Sequence, residues 1–267
     1  MNNLHRELAP ISDAAWTDLE SEAHRTFTSY VAGRRVVDVS EPGGPTVAAV
    51  GTGHQQPVDP PAEGVLAHRR DAQPLIELRV PFTVDRRAVD SVERGAQDAD
   101  WQPVKDAAKK IAFTEDRAIF QGFPQGGIAG LAPSSSNPPI TLPSDVRALP
   151  ATVAQAIAAL RLAGVDGPYN LVLPAATYTA AAEFNDQGYP VWNHLTRLVP
   201  DDQIIWAPAL GGALLLSTRG GDHELRLGQD LSIGYESHDA EHIQLYFQET
   251  LTFLVFTTEA SVVLRQS

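Results

Sequence analysis

The chain has 267 residues, 43% of them hydrophobic and 20% charged, a balance typical of a folded protein with room for one large domain or two modest ones. Its formal net charge of −13 argues against nucleic acid as a partner, because phosphate binding needs an excess of lysine and arginine. The lack of cysteine excludes disulfides and cysteine-ligated metals. No apolar run is long enough to span a bilayer and MNNLHRELAP has no secretory pattern, so we expect a cytoplasmic protein without membrane partners.

The first predicted element is an amphipathic helix. Ser12 suits its N-cap, and Gly33 suits the left-handed position that ends a helix. Apolar residues recur every three or four positions and so share one face: Trp16, Leu19, Ala23, Phe27, Tyr30 and Val31. The pattern leaves open whether this face is ordinary core or a surface that receives something else.

Residues 41–74 are dense in glycine and proline and have too little apolar periodicity to form a core of their own. The segment fits a disordered linker, or a long two-stranded arm that a neighbour braces, because an isolated hairpin is marginal in water. The run PLIELRVPFTVDRRAVD then predicts a strand. A long helix follows in DADWQPVKDAAKKIAFTEDRAIFQG, with Pro103 in its first turn and Gly122 at its end.

The second half of the chain divides into two parts. Residues 132–221 alternate predicted helices (ATVAQAIAALRLAG, AATYTAAAEF, VWNHLTRLV) with predicted strands (YNLVLP, IIWAP, ALLLSTR), which indicates a compact α/β subdomain. From residue 223 the sequence is rich in predicted strands, including LSIGYES and HIQLYFQETLTFLVFTTEA. The α/β unit is therefore predicted to be inserted between a first segment and a set of closing strands.

The segment HDAEH matches the H-x-x-E-H pattern of zinc peptidases, in which His238 and His242 bind the metal and Glu241 activates a water molecule. Both flanks resemble strands, which predicts a hairpin turn that points the imidazoles in unrelated directions. A metal-dependent peptidase stays as an alternative function. The charged residues at 105–117 predict a solvated or intersubunit helix face rather than an acid/base pair. From the residues alone we expect no active site, metal or cofactor.

Several blocks together resemble the encapsulin family of shell proteins, in its linocin-type, actinobacterial-like form. They occur in the family's order: MNNLHRELAPI, GRRVVDV, IELRVPFTV, AGVDGPYNLVL, GYPVWNHL, IIWAPAL, STRGGD, LGQDLSIGY and QETLTF. The resemblance implies an α+β fold of the tailed-bacteriophage major-capsid type. It assigns residues 1–48, 76–131 and 223–267 to a peripheral domain, 49–75 to an extended arm called the E-loop, and 132–222 to an axial domain.

The same resemblance implies a structural shell rather than an enzyme. Copies of the chain, 60 by family expectation, would form an icosahedral cage around a cargo enzyme, a dye-decolorising peroxidase or a ferritin-like protein. The cargo would dock through a C-terminal targeting peptide in a groove between the first helix and the closing strands. The residues that the resemblance assigns to this groove are Phe27, Val31, Arg34, Asp38, Leu231, Ile233 and Tyr235.

The resemblance also assigns a pore loop at the five-fold axes, formed by Asn185, Asp186, Gln187, Gly188 and Tyr189. Some relatives bind a flavin through a tryptophan near the end of the FT strand; the corresponding VDRRAVD has no aromatic residue, so no flavin is expected. A secreted bacteriocin-like protein is a further alternative, which the missing secretory pattern disfavours.

Overall fold

The computed structural model describes residues 3–265. The helices are α1 (Asp13–Tyr30), α2 (Arg86–Glu93), α3 (Gln102–Phe120), α4 (Leu131–Ser134), α5 (Leu149–Leu162), α6 (Ala175–Glu183) and α7 (Val191–Leu195). The strands of the first half are β1 (Asp38–Val39), β2 (Ala49–Val58), β3 (Ala67–Pro74), β4 (Ile76–Asp85) and β5 (Ile140–Thr141). Those of the second half are β6 (Tyr169–Leu173), β7 (Asn185–Asp186), β8 (Tyr189–Pro190), β9 (Ile204–Trp206), β10 (Ala213–Ser217), β11 (His223–Leu227), β12 (Ser232–His238), β13 (His242–Val255) and β14 (Ser261–Arg265).

The predicted first helix is confirmed at its start and corrected at its end. The Ala15 amide donates to the Ser12 side chain over 3.3 Å, as an N-cap requires. The helix ends in extended backbone at Val31, and Gly33 lies in a 3₁₀ turn without the predicted left-handed conformation. Helix α3 approaches this glycine closely, because a Cβ would lie 2.5 Å from Cδ1 of Ile119 and 3.2 Å from Oδ1 of Asp116.

The first sheet is built around the long strand β13. Strand β4 pairs antiparallel with one edge of β13, while β11 and β12 pair one after the other along its opposite edge. Strand β1 adds to β11 in parallel. Alternate β13 residues Ile243, Leu245 and Phe247 are buried in the same core as α1 and α3. The two helices therefore cover one face of this sheet.

Residues 49–74 form a two-stranded arm rather than a disordered linker. Strands β2 and β3 pair antiparallel from Ala49 opposite Pro74 to Val58 opposite Ala67. Almost every residue of the arm is exposed, including Leu66 near its tip, which is 90% exposed. Nothing within residues 3–265 covers the arm, and it continues through β4 into the first sheet.

The second sheet has the order β5-β14-β10-β6-β9, and its predicted strands and helices are present. Leu171, Leu173 and Leu215 face a core that includes α5 and α7, while Leu214 and Leu216 face a core shared with the first sheet. Strand β14 belongs to this sheet, although the sequence assigns all of residues 223–267 to the closing strands of the other unit. The chain thus returns to the second sheet after completing the first.

Helix α3 joins the two cores. Pro103 lies in its first turn and Gly122 adopts a positive φ of 85° just beyond its end, as predicted. Glu115 and Asp116 are fully buried, so the prediction of a solvated face fails for this part of the helix. The strand predicted from PLIELRVPFTVDRRAVD stops at Asp85, whose side chain caps α2 by accepting from the Arg87 amide. Within the described part of the chain, no helix has both the length and the hydropathy needed to cross a membrane.

Candidate functional site

A groove of about 380 Å³ lies between the second half of α1 and the start of β12. Five of the seven predicted groove residues line it: Phe27, Val31, Arg34, Leu231 and Ile233. The remaining lining residues are Glu20, Ala23, His24, Thr28, Arg35, Asp230, Ser232 and Phe247. The five residues that the resemblance assigns lie on both walls of this groove, and much of its rim, including His24 and Thr28, is outside the assigned set.

The apolar lining belongs both to the groove and to the core. Phe27, Val31 and Ile233 are between 4% and 6% exposed, so only a small part of each faces the groove. Leu231 is half-buried and packs against the same core. The apolar face of α1 therefore has two roles. Most of it packs against the core, and its last turn also forms the apolar floor of the groove.

Arg34 lies at the end of this floor and is held by acidic side chains. Its Nε and Nη2 donate to both oxygens of Glu115 over 2.7 to 3.0 Å, in a bidentate pair. Its Nη1 donates to Asp230 over 2.8 Å, and its guanidinium lies 4.9 Å above the ring of Phe27. These contacts fix the guanidinium at the floor and leave it little freedom to follow a ligand.

A second buried carboxyl lies behind this pair. Glu249 is on the core face of β13, fully buried, with Oε2 3.5 Å from Arg34 Nη2. Burial raises the pKa of Glu249 well above its usual range, and the nearby Glu115 raises it further, while Arg34 acts in the opposite direction. The raised pKa favours the protonated form of Glu249, and Glu115 is the carboxylate that pairs most closely with Arg34.

Asp116 stabilises the chain where it leaves α1. Its carboxylate accepts from the amide of Ala32 over 3.0 Å and from the amide of Gly33 over 2.7 Å. Burial raises the pKa of Asp116 to about 7, although both backbone hydrogen bonds favour the ionised form. Glu115 and Asp116 follow the apolar residues Ile111 and Ala112 by four positions, so the helical period could have identified them as buried acids.

Two predicted groove residues lie elsewhere. Asp38 accepts from the amide of Gly221 over 2.6 Å and lines a separate polar pocket. Tyr235 is half-buried beyond the groove, and its hydroxyl lies 2.6 Å from His238 Nδ1. Two β12 residues, Ile233 and Tyr235, share a face of the strand, but the groove ends before the second of them.

The HDAEH segment forms the predicted hairpin turn. His238 ends β12 and His242 begins β13, while Asp239 accepts from the amides of Glu241 and His242 over 2.8 and 2.7 Å. The helix on which an H-x-x-E-H zinc site depends is absent from these residues. Among residues 3–265, no three histidine or acidic side chains are grouped as metal ligands.

The predicted pore loop forms a small exposed hairpin, with β7 paired to β8. Gln187 and Gly188 have positive φ angles of 48° and 83°, as the two central residues of a type I′ turn require. Asp186 is half-buried, whereas Asn185, Gln187, Gly188 and Tyr189 are exposed. Tyr189 lies beside the turn, and Arg197 donates to its hydroxyl over 3.1 Å.

Known proteins resemble this chain over almost its whole length. A family model described as "Encapsulating protein for peroxidase" matches residues 1–252. The type 1 encapsulin shell protein of Rhodococcus erythropolis is 62% identical over 262 residues, covering 98% of this chain and 99% of the relative. That of Mycobacterium tuberculosis is 58% identical over 264 residues, covering 99% of each chain.

Solved structures with a similar fold are capsid-like particles and phage proteins. The virus-like particle of Pyrococcus furiosus has a TM-score of 0.67 at 14% identity and covers 94% of this chain and 99% of its own. A protein of Mycobacterium phage Bobi has a TM-score of 0.58 at 14% identity, with 89% and 91% covered. The capsid of Myoviridae phage XM1 has a TM-score of 0.55 at 13% identity, with 88% and 90% covered. The chain therefore belongs to the family of encapsulin shell proteins, which are structural and not enzymatic, and it has the α+β fold of phage capsids.

Proposed function

We propose that this chain assembles into an icosahedral shell that encloses a peroxidase, and that the peroxidase docks through a C-terminal targeting peptide in the groove between α1 and β12. The proposal rests on one observation: five of the seven residues that the family resemblance assigns to the docking site line the same groove. The description of the matching family, an encapsulating protein for peroxidase, favours this guest over a ferritin-like protein. The expected setting is the cytoplasm.

The lining of the groove suits an aliphatic peptide. Phe27, Val31, Leu231 and Ile233 offer an apolar floor, which favours leucine or isoleucine side chains of an extended segment. Arg34 is already paired with Glu115 and Asp230. Its role is therefore to fix the floor, while affinity comes mainly from apolar burial.

Three parts of the chain have separate roles in the assembled shell. Residues 1–48, 76–131 and 223–267 form the peripheral domain, 49–75 the E-loop and 132–222 the axial domain, and β14 extends the sheet of the axial domain. The arm pairs with a neighbouring copy, because its exposed strands need a partner for stability. The hairpin at residues 185–189 lines the five-fold pore in a shell of 60 copies.

The docking proposal is tested at the half-buried Leu231 and the exposed Thr28, since the more deeply buried Phe27 and Ile233 are needed for packing. Leu231→Asp and Thr28→Glu place a charge where an apolar peptide would lie, and both should assemble into shells that enclose about tenfold less co-expressed peroxidase. Ser21→Glu is the matched control, on the exposed face of α1 outside the groove. A peroxidase without its C-terminal segment should stay outside wild-type shells. Unchanged loading in both rim variants would contradict the groove as the docking site.

Assembly itself is tested by size-exclusion chromatography and negative-stain microscopy of the purified chain. Closed particles of uniform size are expected, and a stable monomer would contradict the shell. The peptidase alternative predicts metal-dependent peptide cleavage by particles without guest. Because His238 and His242 lie on either side of a hairpin turn, we expect none, and cleavage that His242→Ala abolished would favour the peptidase.

A further inference from the structure

The lysines of this chain are confined to one place. The sequence contains only Lys105, Lys109 and Lys110, all in the first half of α3. Lys109 and Lys110 are exposed and Lys105 is half-buried. We refer to these three residues as the lysine face. In a chain of net charge −13, such a concentration of cations is a distinct local feature.

Lys105 and Lys109 of the lysine face line a cleft of about 550 Å³ between α1 and α3, to which Arg25 contributes a third cation. Glu22 is shared between Arg25 and Lys105, whose Nζ lies 3.8 Å from the carboxylate. Within residues 3–265, Lys109 and Lys110 form no salt bridge. The cleft therefore has more cations than carboxylates.

Aromatic rings hold one lysine in position. Lys109 Nζ lies 5.1 Å from the ring centroid of Tyr30 and 5.4 Å from that of Phe113. The two rings meet edge to face with centroids 5.6 Å apart. Cation–π contacts of this kind orient an ammonium group without neutralising its charge, so Lys109 stays available to an anion.

The cleft and the proposed docking groove flank the same exposed ridge of α1. His24 and Thr28 of this ridge line the groove, while Arg25 and Ser29, each the next residue along, line the cleft. All four residues are exposed. A protein docked in the groove therefore lies within one helix diameter, about 10 Å, of the lysine face.

We propose that the lysine face is a second contact for the enclosed guest and binds an acidic stretch of that protein outside its docking segment. This inference rests on the proposed function. Subunits of charge −13 would repel an acidic guest, and a cationic surface beside the groove offsets that repulsion locally. Nucleic acid is disfavoured because strong phosphate binding needs a longer run of cations, without the carboxylates of Glu22 and Asp106 that border this one.

The test uses an acidic probe without a docking segment, so that it is independent of the groove. Full-length shells are dissociated and reassembled in about 50 mM salt with a fluorescently labelled oligoglutamate peptide, and the peptide retained per subunit is measured after gel filtration. Replacement of all three residues of the lysine face by glutamine should reduce retention about tenfold. The matched control removes three exposed positive charges elsewhere: Arg87→Gln, Arg94→Gln and Arg161→Gln.

Any result other than a loss of retention confined to the lysine variant would overturn the inference. Equal retention in wild type and lysine variant, or an equal loss in the control, would mean that the face has no specific role. Failure of the lysine variant alone to assemble would make the face a contact between copies of the chain. Stronger retention of a single-stranded oligonucleotide than of oligoglutamate would point to nucleic acid. Leu231→Asn, which adds no charge to the groove, should leave oligoglutamate retention unchanged, so failure of the docking groove is detected separately, by peroxidase loading.

Discussion

Asp116→Asn should remove a large part of the pH dependence of subunit stability between about pH 4 and pH 7. The Asp116 carboxylate is buried beside the amides of Ala32 and Gly33, and burial raises its pKa from 3.8 to about 7. Asparagine has nearly the same shape and keeps one oxygen for these amides, but it does not titrate. The substitution therefore isolates the ionisation from the packing.

The sign and size of the effect follow from the raised pKa. Between pH 4 and pH 7 the folded chain still holds a proton on Asp116 that the unfolded chain has released, so folding becomes less favourable as the pH rises through this window. The rise in the pKa of Asp116 from 3.8 to about 7 corresponds to about 4 kcal/mol in the free energy of unfolding. The stability of Asp116→Asn relative to wild type should thus increase by about 4 kcal/mol between pH 4 and pH 8 and change little outside that range.

Guanidinium unfolding followed by tryptophan fluorescence, at intervals from pH 4 to pH 8, measures this difference. Contributions common to both proteins, including those of assembly, cancel in the comparison. Asp106→Asn is the control, because it makes the same chemical change at an exposed position on the same helix. The reasoning would be refuted if Asp116→Asn followed the wild-type pH profile throughout.

Three further substitutions test the buried contacts. Arg34→Ala should lower the free energy of unfolding by about 3–5 kcal/mol, because it leaves the Glu115 carboxylate buried without its cation; a loss below 1 kcal/mol in chemical unfolding would contradict this. Glu249→Gln should change stability by less than about 1 kcal/mol, since burial favours the protonated form of that carboxyl, which glutamine resembles in shape. Gly122→Ala should lower the melting temperature more than Gly95→Ala, because both have positive φ but only Gly122 would place a Cβ 2.3 Å from a carbonyl oxygen.

The features that sequence predicted well are local ones. Ser12 caps α1, Pro103 begins α3, and the hairpin at HDAEH forms between two strands, because each depends on a few neighbouring residues. The two walls of the groove came from resemblance to a family rather than from periodicity. Periodicity showed only that α1 has one apolar face.

The features that sequence missed depend on contacts between distant segments. Gly33 was predicted from helix-ending rules, whereas its real constraint is the close approach of α3, more than 80 residues away. The sequence does not distinguish Glu249 from an exposed charged residue of a long strand. Its raised pKa depends on burial and on Glu115, which α3 places beside it. Asp38 lies four residues after Arg34, which lines the groove, but its side chain accepts a hydrogen bond from the Gly221 amide and does not face the groove.

The position of β14 has a consequence for the order in which the protein can fold during synthesis. Strand β10 pairs with β6 on one side and with β14 on the other, and β14 follows β11, β12 and β13 in the chain. While those strands are being made, the second sheet has an unpaired edge at β10, which can pair with other chains. The second sheet of a subunit is therefore not complete until the last residues have been synthesised. During that interval, nascent copies on one polysome can pair wrongly through the exposed edge of β10.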